Sequence, residues 1–151
     1  PWEYYVADAS GTFRWQSTYP TEEEVRRSAI SSRSVSTAWV FKDEDWYYMT
    51  AQGYVFSKQI YIMRSRYPWG PFEECHQLWT MPWVLDKLGT RTYQNFYMPH
   101  LHQSLSREGE LVFSTNTDCK DWNDNFNSKG SADFYRPYFF RIYNWKAIFE
   151  E

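Results

Sequence analysis

Cysteine, glycine and basic charge are all in short supply in this chain of 151 residues. Two cysteines, Cys75 and Cys119, are too few for a disulfide-dense scaffold or a tetrahedral zinc site, and leave open a single disulfide or two free thiols. The 6 glycines nowhere form a phosphate-binding loop, and no Cys-His-Asp or Ser-His-Asp spacing suggests acyl transfer. With 16 Lys and Arg against 19 Asp and Glu, the net charge of -3 offers no basic face, which excludes nucleic acid and an anionic membrane as partners. No apolar run approaches the roughly 18 residues of a membrane-spanning helix, so no membrane insertion is expected. The chain opens Pro1-Trp2-Glu3-Tyr4-Tyr5, with neither an initiator Met nor a signal peptide, and already reads as strand. A removed leader, or membership of something longer, is the expectation.

What the chain has in abundance is aromatic. Phe, Trp and Tyr make up 22% of the residues, just over half of the 42% that are hydrophobic, at the expense of Leu, Ile and Val. That balance favours strands over helical bundles and predicts an all-β domain. Residues 2–7 and 12–16 flank the turn-forming Asp8-Ala9-Ser10-Gly11 and read as a hairpin. Thr21 followed by Glu24 is a capping-box pattern for one or two helical turns.

From there the pattern becomes regular. Residues 37–42, the turn Asp43-Glu44-Asp45, and residues 46–50, 59–65 and 77–80 predict four short antiparallel strands, the size of one propeller blade. Strands at 97–102, 110–115 and 138–143 repeat the pattern, with a polar loop between Asp118 and Ser131. The predicted architecture is therefore a partial β-propeller of about two four-stranded antiparallel blades plus part of a third. Residues 1–35 would end one blade and connect onward, 36–82 would form one blade, and 93–151 the last. Two blades leave edges open, so the remaining blades of the same protein, or a partner chain, are expected to complete the ring.

Two stretches carry a family resemblance. Ser65-Arg66-Tyr67-Pro68-Trp69-Gly70-Pro71-Phe72 resembles the S-x-x-P-x-G-P-[FW] strand-to-turn signature of five-bladed propellers related to arabinanases and arabinofuranosidases. Residues Tyr97, His102, Leu105, Ser106, Gly109, Leu111 and Ser114 resemble the Y-x-x-x-x-H-x-x-L-S-x-x-G-x-L-x-x-S stretch of a mostly secreted branch of those glycosidases, and the Tyr135-Arg136-Pro137 step fits as well. The branch commonly carries Pro where this chain has Gln103. The resemblance implies a secreted or extracellular, carbohydrate-active protein that hydrolyses or binds furanose-type glycans. In such propellers the catalytic carboxylates lie on the first three blades, whereas this chain resembles the fourth and fifth. It also implies that His102 is the site histidine, that Asn116 lies beside it, and that a structural calcium sits near the channel axis. A noncatalytic adhesive propeller in an extracellular assembly is the alternative.

The residues themselves offer further candidates. Glycoside hydrolysis needs two carboxyl groups about 5–10 Å apart, one with a raised pKa. Asp118, Asp121, Asp124, Glu73 and Glu74 are read as lying in turns or loops, and Asp133 is expected to pair with Arg136. His100 and His102, two apart on a strand, are predicted to share a face, where imidazoles bind a metal or a sugar hydroxyl unless one of them caps a neighbouring carbonyl. Trp69, Trp83, Trp122 and Trp145 sit in or beside loops, where exposed rings stack on sugars; Trp39, Trp46 and Trp79 read as core. The predicted ligand-contacting set is His102, His100, Asn116, Trp122 and Arg136, with His102 also the metal candidate.

Overall fold

Asp8 closes the first hairpin by serving the turn that contains it. Its Oδ1 accepts from the backbone N–H groups of Ser10 and Thr12 (2.8 and 3.1 Å), while Gly11 takes the left-handed conformation (φ 83°). Strands β1 (Tyr4–Ala7) and β2 (Phe13–Gln16) pair antiparallel on either side. Helix α1 (Glu22–Arg27) starts with the expected capping box, Thr21 and Glu24 each accepting from the other's backbone N–H (3.2 and 2.8 Å). The Ser28 hydroxyl then accepts from Ala7 N–H (2.7 Å) and ties the helix end to β1.

The computed structural model describes residues 1–81, 94–119, 121–127 and 135–150. It is all-β with antiparallel sheets and little helix. Strands β3 (Ser36–Asp43), β4 (Trp46–Gln52), β5 (Gln59–Ser65) and β6 (Glu73–Thr80) form a four-stranded sheet in chain order. Strands β7 (Gln94–Leu101), β8 (Glu110–Cys119) and β9 (Pro137–Tyr143) form a three-stranded one. Strands β4 and β7 run two to three residues beyond the predicted limits, to Gln52 and from Gln94, and three further departures from the sequence reading bear on candidate residues. Strand β6 begins at Glu73 rather than Gln77, placing Glu73 and Glu74 in the ladder, where Arg64 Nε donates to Glu74 Oε1 (2.9 Å). Strand β8 runs on to Cys119, so Asp118 lies on a strand and not in a loop. Within the supposed polar loop, Asp124–Asn127 form a helical turn, α2, pinned by Asn125 Oδ1 accepting from Cys119 N–H (2.8 Å). Trp83, Ser131 and Asp133 lie outside the described residues.

The two larger sheets pack through a largely aromatic core. Phe41, Tyr48 and Ile62 from one meet Leu101, Leu111, Phe113 and Ile142 from the other, and Trp145 on the final 3-10 turn (Trp145–Phe149) closes the cluster. Trp145, read as a loop residue available to ligand, is in fact 5% exposed and packs edge-on against Tyr48 (4.8 Å between centroids). Trp46 and Trp79 are partly buried against the same cluster, as a core role requires. Trp39 is not core: it is 36% exposed on the edge strand β3. Both cysteines are free thiols, Cys119 buried and Cys75 partly so.

The turn between β5 and β6 explains why Ser65 and Gly70 stand where they do. Ser65 Oγ accepts from Tyr67 N–H (3.1 Å), and the chain reverses so that Phe72 N–H donates to Ile30 carbonyl (2.7 Å) while its ring enters a core with Met49 and Met63. Gly70 has φ 84°, and a Cβ there would lie 3.0 Å from the Ile30 carbonyl oxygen. Gly11 has a similar φ with nothing within 4 Å of its Cβ position. Gly11→Ala is expected to cost about 1–2 kcal/mol for the left-handed backbone alone, and Gly70→Ala measurably more. Urea unfolding of the two variants checks the order; equal losses would remove the Ile30 contact from the account.

Candidate functional site

Each of the edge strands β3 and β7 carries an irregularity built on a left-handed residue. The β3–β4 register shifts between Ser36 and Trp39, with Thr37 at φ 52°, and the β7–β8 register shifts between Tyr97 and His100, with Met98 at φ 51°. Left-handed conformations at non-glycine residues are costly, and bulges re-aim the side chains that follow them. Here they bring Trp39 and His100, each two residues past the bulge, into edge-on contact at 4.2 Å between ring centroids. His100 lies 4.9 Å from His102, and His102 lies 5.3 Å from Phe139. One continuous row of rings thus crosses the sheet boundary.

His102 sits just past the end of β7, where its N–H donates to Val112 carbonyl (2.8 Å). Its Nε2 is hydrogen-bonded to Ser114 Oγ (2.8 Å), and not to Asn116, the residue that the family resemblance sets beside it. The reason is register: His100 stands opposite Ser114, whereas Asn116 stands opposite Tyr97. Burial lowers the His102 pKa, and the neighbouring His100 lowers it further. Calcium prefers several oxygen ligands. The histidine pair offers a ring nitrogen already engaged by Ser114, with Trp39 and Phe139 around it, and no three His, Cys, Asp or Glu among the described residues are grouped to hold a metal. This donor set does not fit calcium.

Alternate residues of β8 share a face, so Ser114, Asn116 and Asp118 form one row, and their cross-strand partners on β7 are His100, Tyr97 and Asn95. Beyond His100 the row opens into two adjoining cavities that share Tyr97, Met98 and Tyr135. The first, about 310 Å³, adds Asn116, Arg136 and Pro137. The second, about 370 Å³, reaches the other sheet through Thr37, Gln52 and Phe56 and is also lined by Asp118 and Trp122. The starts of β3 and β7 and the connections leaving β4 and β8 all converge here.

Three of the five residues singled out from sequence therefore come together. Asn116 and Arg136 line one cavity and Trp122 the other, while His100 stands further along β7 and His102 just past its end. Trp122 is 55% exposed and meets Phe126 and Tyr135 edge-on (5.4 and 6.0 Å). Arg136 is held over the Tyr138 ring, its Nε donating to the phenolic oxygen (3.3 Å). The Tyr97 hydroxyl pKa is raised by burial first, then by its hydrogen bond to Tyr135 and by the proximity of Tyr135 and Asp118. Burial raises the Asp118 carboxyl as well, against the opposing effect of a hydrogen bond from Asn95. Sequence reading missed Tyr97, Tyr135 and Gln52 as site residues, and Asp118 as a strand residue. The signal for Asp118 was the two-residue alternation continuing from Ser114 through Asn116.

The His102 environment has a measurable consequence. A histidine with a lowered folded pKa binds fewer protons folded than unfolded, so its contribution weakens as pH falls through the ordinary histidine value near 6.5. In an NMR titration His102 should lose its proton at lower pH than a free histidine, and His100→Gln should move that pKa partway back up. No movement in the variant would limit the cause to burial.

Comparison with known proteins gives the chain relatives. Residues 1–145 match the family model described as "Domain of unknown function (DUF5005)". No curated protein matches. A crystal structure of "a putative hydrolase" from Bacteroides ovatus is similar at 48% sequence identity and a TM-score of 0.87, over 99% of this chain and 37% of that one. The chain thus spans little more than a third of that relative's length. Because the family model covers nearly all of its residues, the chain belongs to the DUF5005 family.

Proposed function

We propose that this chain is the glycan-contacting part of an extracellular, hydrolase-like β-propeller, and that sugar rings sit in the paired cavities around Tyr97 and Tyr135. The observation that carries the reading is the composition of those cavities. Aromatic rings from Phe56, Tyr97, Trp122 and Tyr135 stand beside an amide, a guanidinium and a carboxyl from Asn116, Arg136 and Asp118. Sugars present apolar ring faces to aromatics and hydroxyls to such polar groups. The bulges of β3 and β7 support treating the two larger sheets as successive blades, with the β1–β2 hairpin as the end of a preceding one. Name and similarity of the B. ovatus relative favour a hydrolase, and its greater length favours catalytic carboxylates on blades beyond this chain.

The adhesive alternative draws on a different observation. Trp2, Trp15, Tyr19 and Tyr67 are 88%, 48%, 81% and 54% exposed around the β1–β2 hairpin and the β5–β6 turn, and Trp15 and Trp69 meet edge-on at 5.6 Å. That patch suits the remaining blades or a partner chain, and its burial is compatible with either reading.

Calorimetric titration with 1,5-linked arabinotriose, and with xylotriose as a pyranose comparison, tests the glycan site. Trp122→Ala and Tyr135→Ala should each weaken binding of the preferred sugar at least tenfold, about 1.4 kcal/mol. Trp2→Ala, outside the cavities, should leave it unchanged. Absence of binding by either sugar, or loss only in the Trp2 variant, would sink the proposal.

A further inference from the structure

The larger cavity holds two polar side chains that ring stacking does not use. Asp118, near the end of β8, is 8% exposed, and its Oδ1 has no hydrogen-bond partner among the described residues. Gln52, at the end of β4, is 2% exposed. Its Nε2 is committed to the carbonyls of Ser57 and Phe96 (2.5 and 2.7 Å), and its Oε1 has no partner among the described residues. The two residues line the same cavity of about 370 Å³, one from each sheet.

A buried polar atom left unpaired costs about 1–3 kcal/mol; both oxygens are shielded as they stand, and rotation of side chains that line the cavity is what would bring them to groups that complete them. Their chemistry is complementary. Gln52 Oε1 only accepts, whereas a carboxylic acid also donates, and rotation about χ2 exchanges the two Asp118 oxygens at the cavity wall. No Lys or Arg lines this cavity among the described residues; Arg136 lines the adjoining one. An anionic ligand in this cavity would meet a buried carboxyl with no cation among the described lining residues to balance it.

We propose that Asp118 and Gln52 form a donor and acceptor pair that reads the hydroxyls of an uncharged sugar, Asp118 donating from its carboxylic acid and Gln52 Oε1 accepting from a sugar O–H. This rests on the carbohydrate reading above and adds to it the ligand class, a neutral glycan rather than a sugar acid or sugar phosphate.

The surroundings keep the donor in place. On β7, Asn95 hydrogen-bonds the carboxyl and Tyr97 stands nearby with its own hydroxyl pKa raised, so Tyr97 stays neutral. Tyr135, preceding β9, is hydrogen-bonded to Tyr97. Among the described residues, the charges on the α2 side include the carboxylates of Asp121 and Asp124, which act on the neighbouring Cys119. Burial is the largest influence on Asp118 and holds its pKa above the ordinary aspartate value. As pH rises through that raised pKa, the donor is lost and a buried negative charge faces the sugar oxygens, so affinity falls.

Two measurements on the whole protein and its Asp118→Asn variant test the pair. Carboxyl carbon NMR should show Asp118 titrating above the ordinary aspartate value of about 3.9. Calorimetry between about pH 4 and 8 should show wild-type affinity for arabinotriose falling at least tenfold as Asp118 ionises, and a flat profile for Asp118→Asn, whose amide donates throughout. Trigalacturonate should bind at least tenfold more weakly than the neutral sugar at pH 7. An Asp118 that titrates normally, a variant that keeps the wild-type pH profile, or equal binding of the acidic sugar overturns this inference while sensitivity to Trp122 and Tyr135 leaves the glycan site standing. No binding of a neutral sugar at any pH overturns both.

Discussion

The contact between the two larger sheets is the constraint on which the rest depends. Phe41, Tyr48 and Ile62 meet Leu101, Phe113 and Ile142, and Trp145 fills the corner between them. Burying each large side chain contributes on the order of 1.5–3 kcal/mol relative to exposure, and none of these residues can do so against its own sheet alone. The face-to-face packing holds the edge strands β3 and β7 side by side. Without it, Trp39 would not reach His100, and Gln52 and Asp118 would not share a cavity.

Edge strands usually invite pairing with further strands, and bulges blunt that tendency. In β3 and β7 the bulges at Thr37 and Met98 also mark where packing gives way to open space. On one side of them the rings of Trp39, His100 and His102 close the seam between the sheets. On the other, the strand ends and connections diverge and leave the cavities lined by Tyr97, Tyr135 and Trp122. The strained backbone is therefore found where the sheets stop being core and begin to line the cavities, as expected where local strain is held by surrounding packing.

Much of the secondary structure was legible because it rests on local chemistry. Asp8-Ala9-Ser10-Gly11 and the Thr21 and Glu24 capping box are satisfied by their own neighbours in the chain, whereas Asp43 and Glu44 of the β3–β4 turn pair with the distant Lys146. Strand β5 has the predicted limits because its alternation is bounded by turns on both sides. Where strands run past their apolar stretch the reading stopped short. Polar Thr117 and Asp118 continue β8 because the partner strand β7 supplies hydrogen bonds and the core covers one face. The same limit misplaced Trp145, whose sequence neighbours are polar while its ring lies among Phe41 and Tyr48.

The sequence by itself determined an antiparallel all-β chain, its turns, the sharing of one face by His100 and His102, and the candidacy of Asn116, Trp122 and Arg136. The all-β character, the turns and the shared face follow from backbone periodicity and residue chemistry, which act over a few positions, while Asn116 was singled out by the family resemblance. Only the tertiary structure decided that His102 is engaged by Ser114, that both cysteines remain thiols, and that Asp118 is a desolvated strand residue facing Gln52 across a cavity. Each of those outcomes depends on register and on sheet packing, interactions between residues distant in sequence whose partners no local pattern specifies.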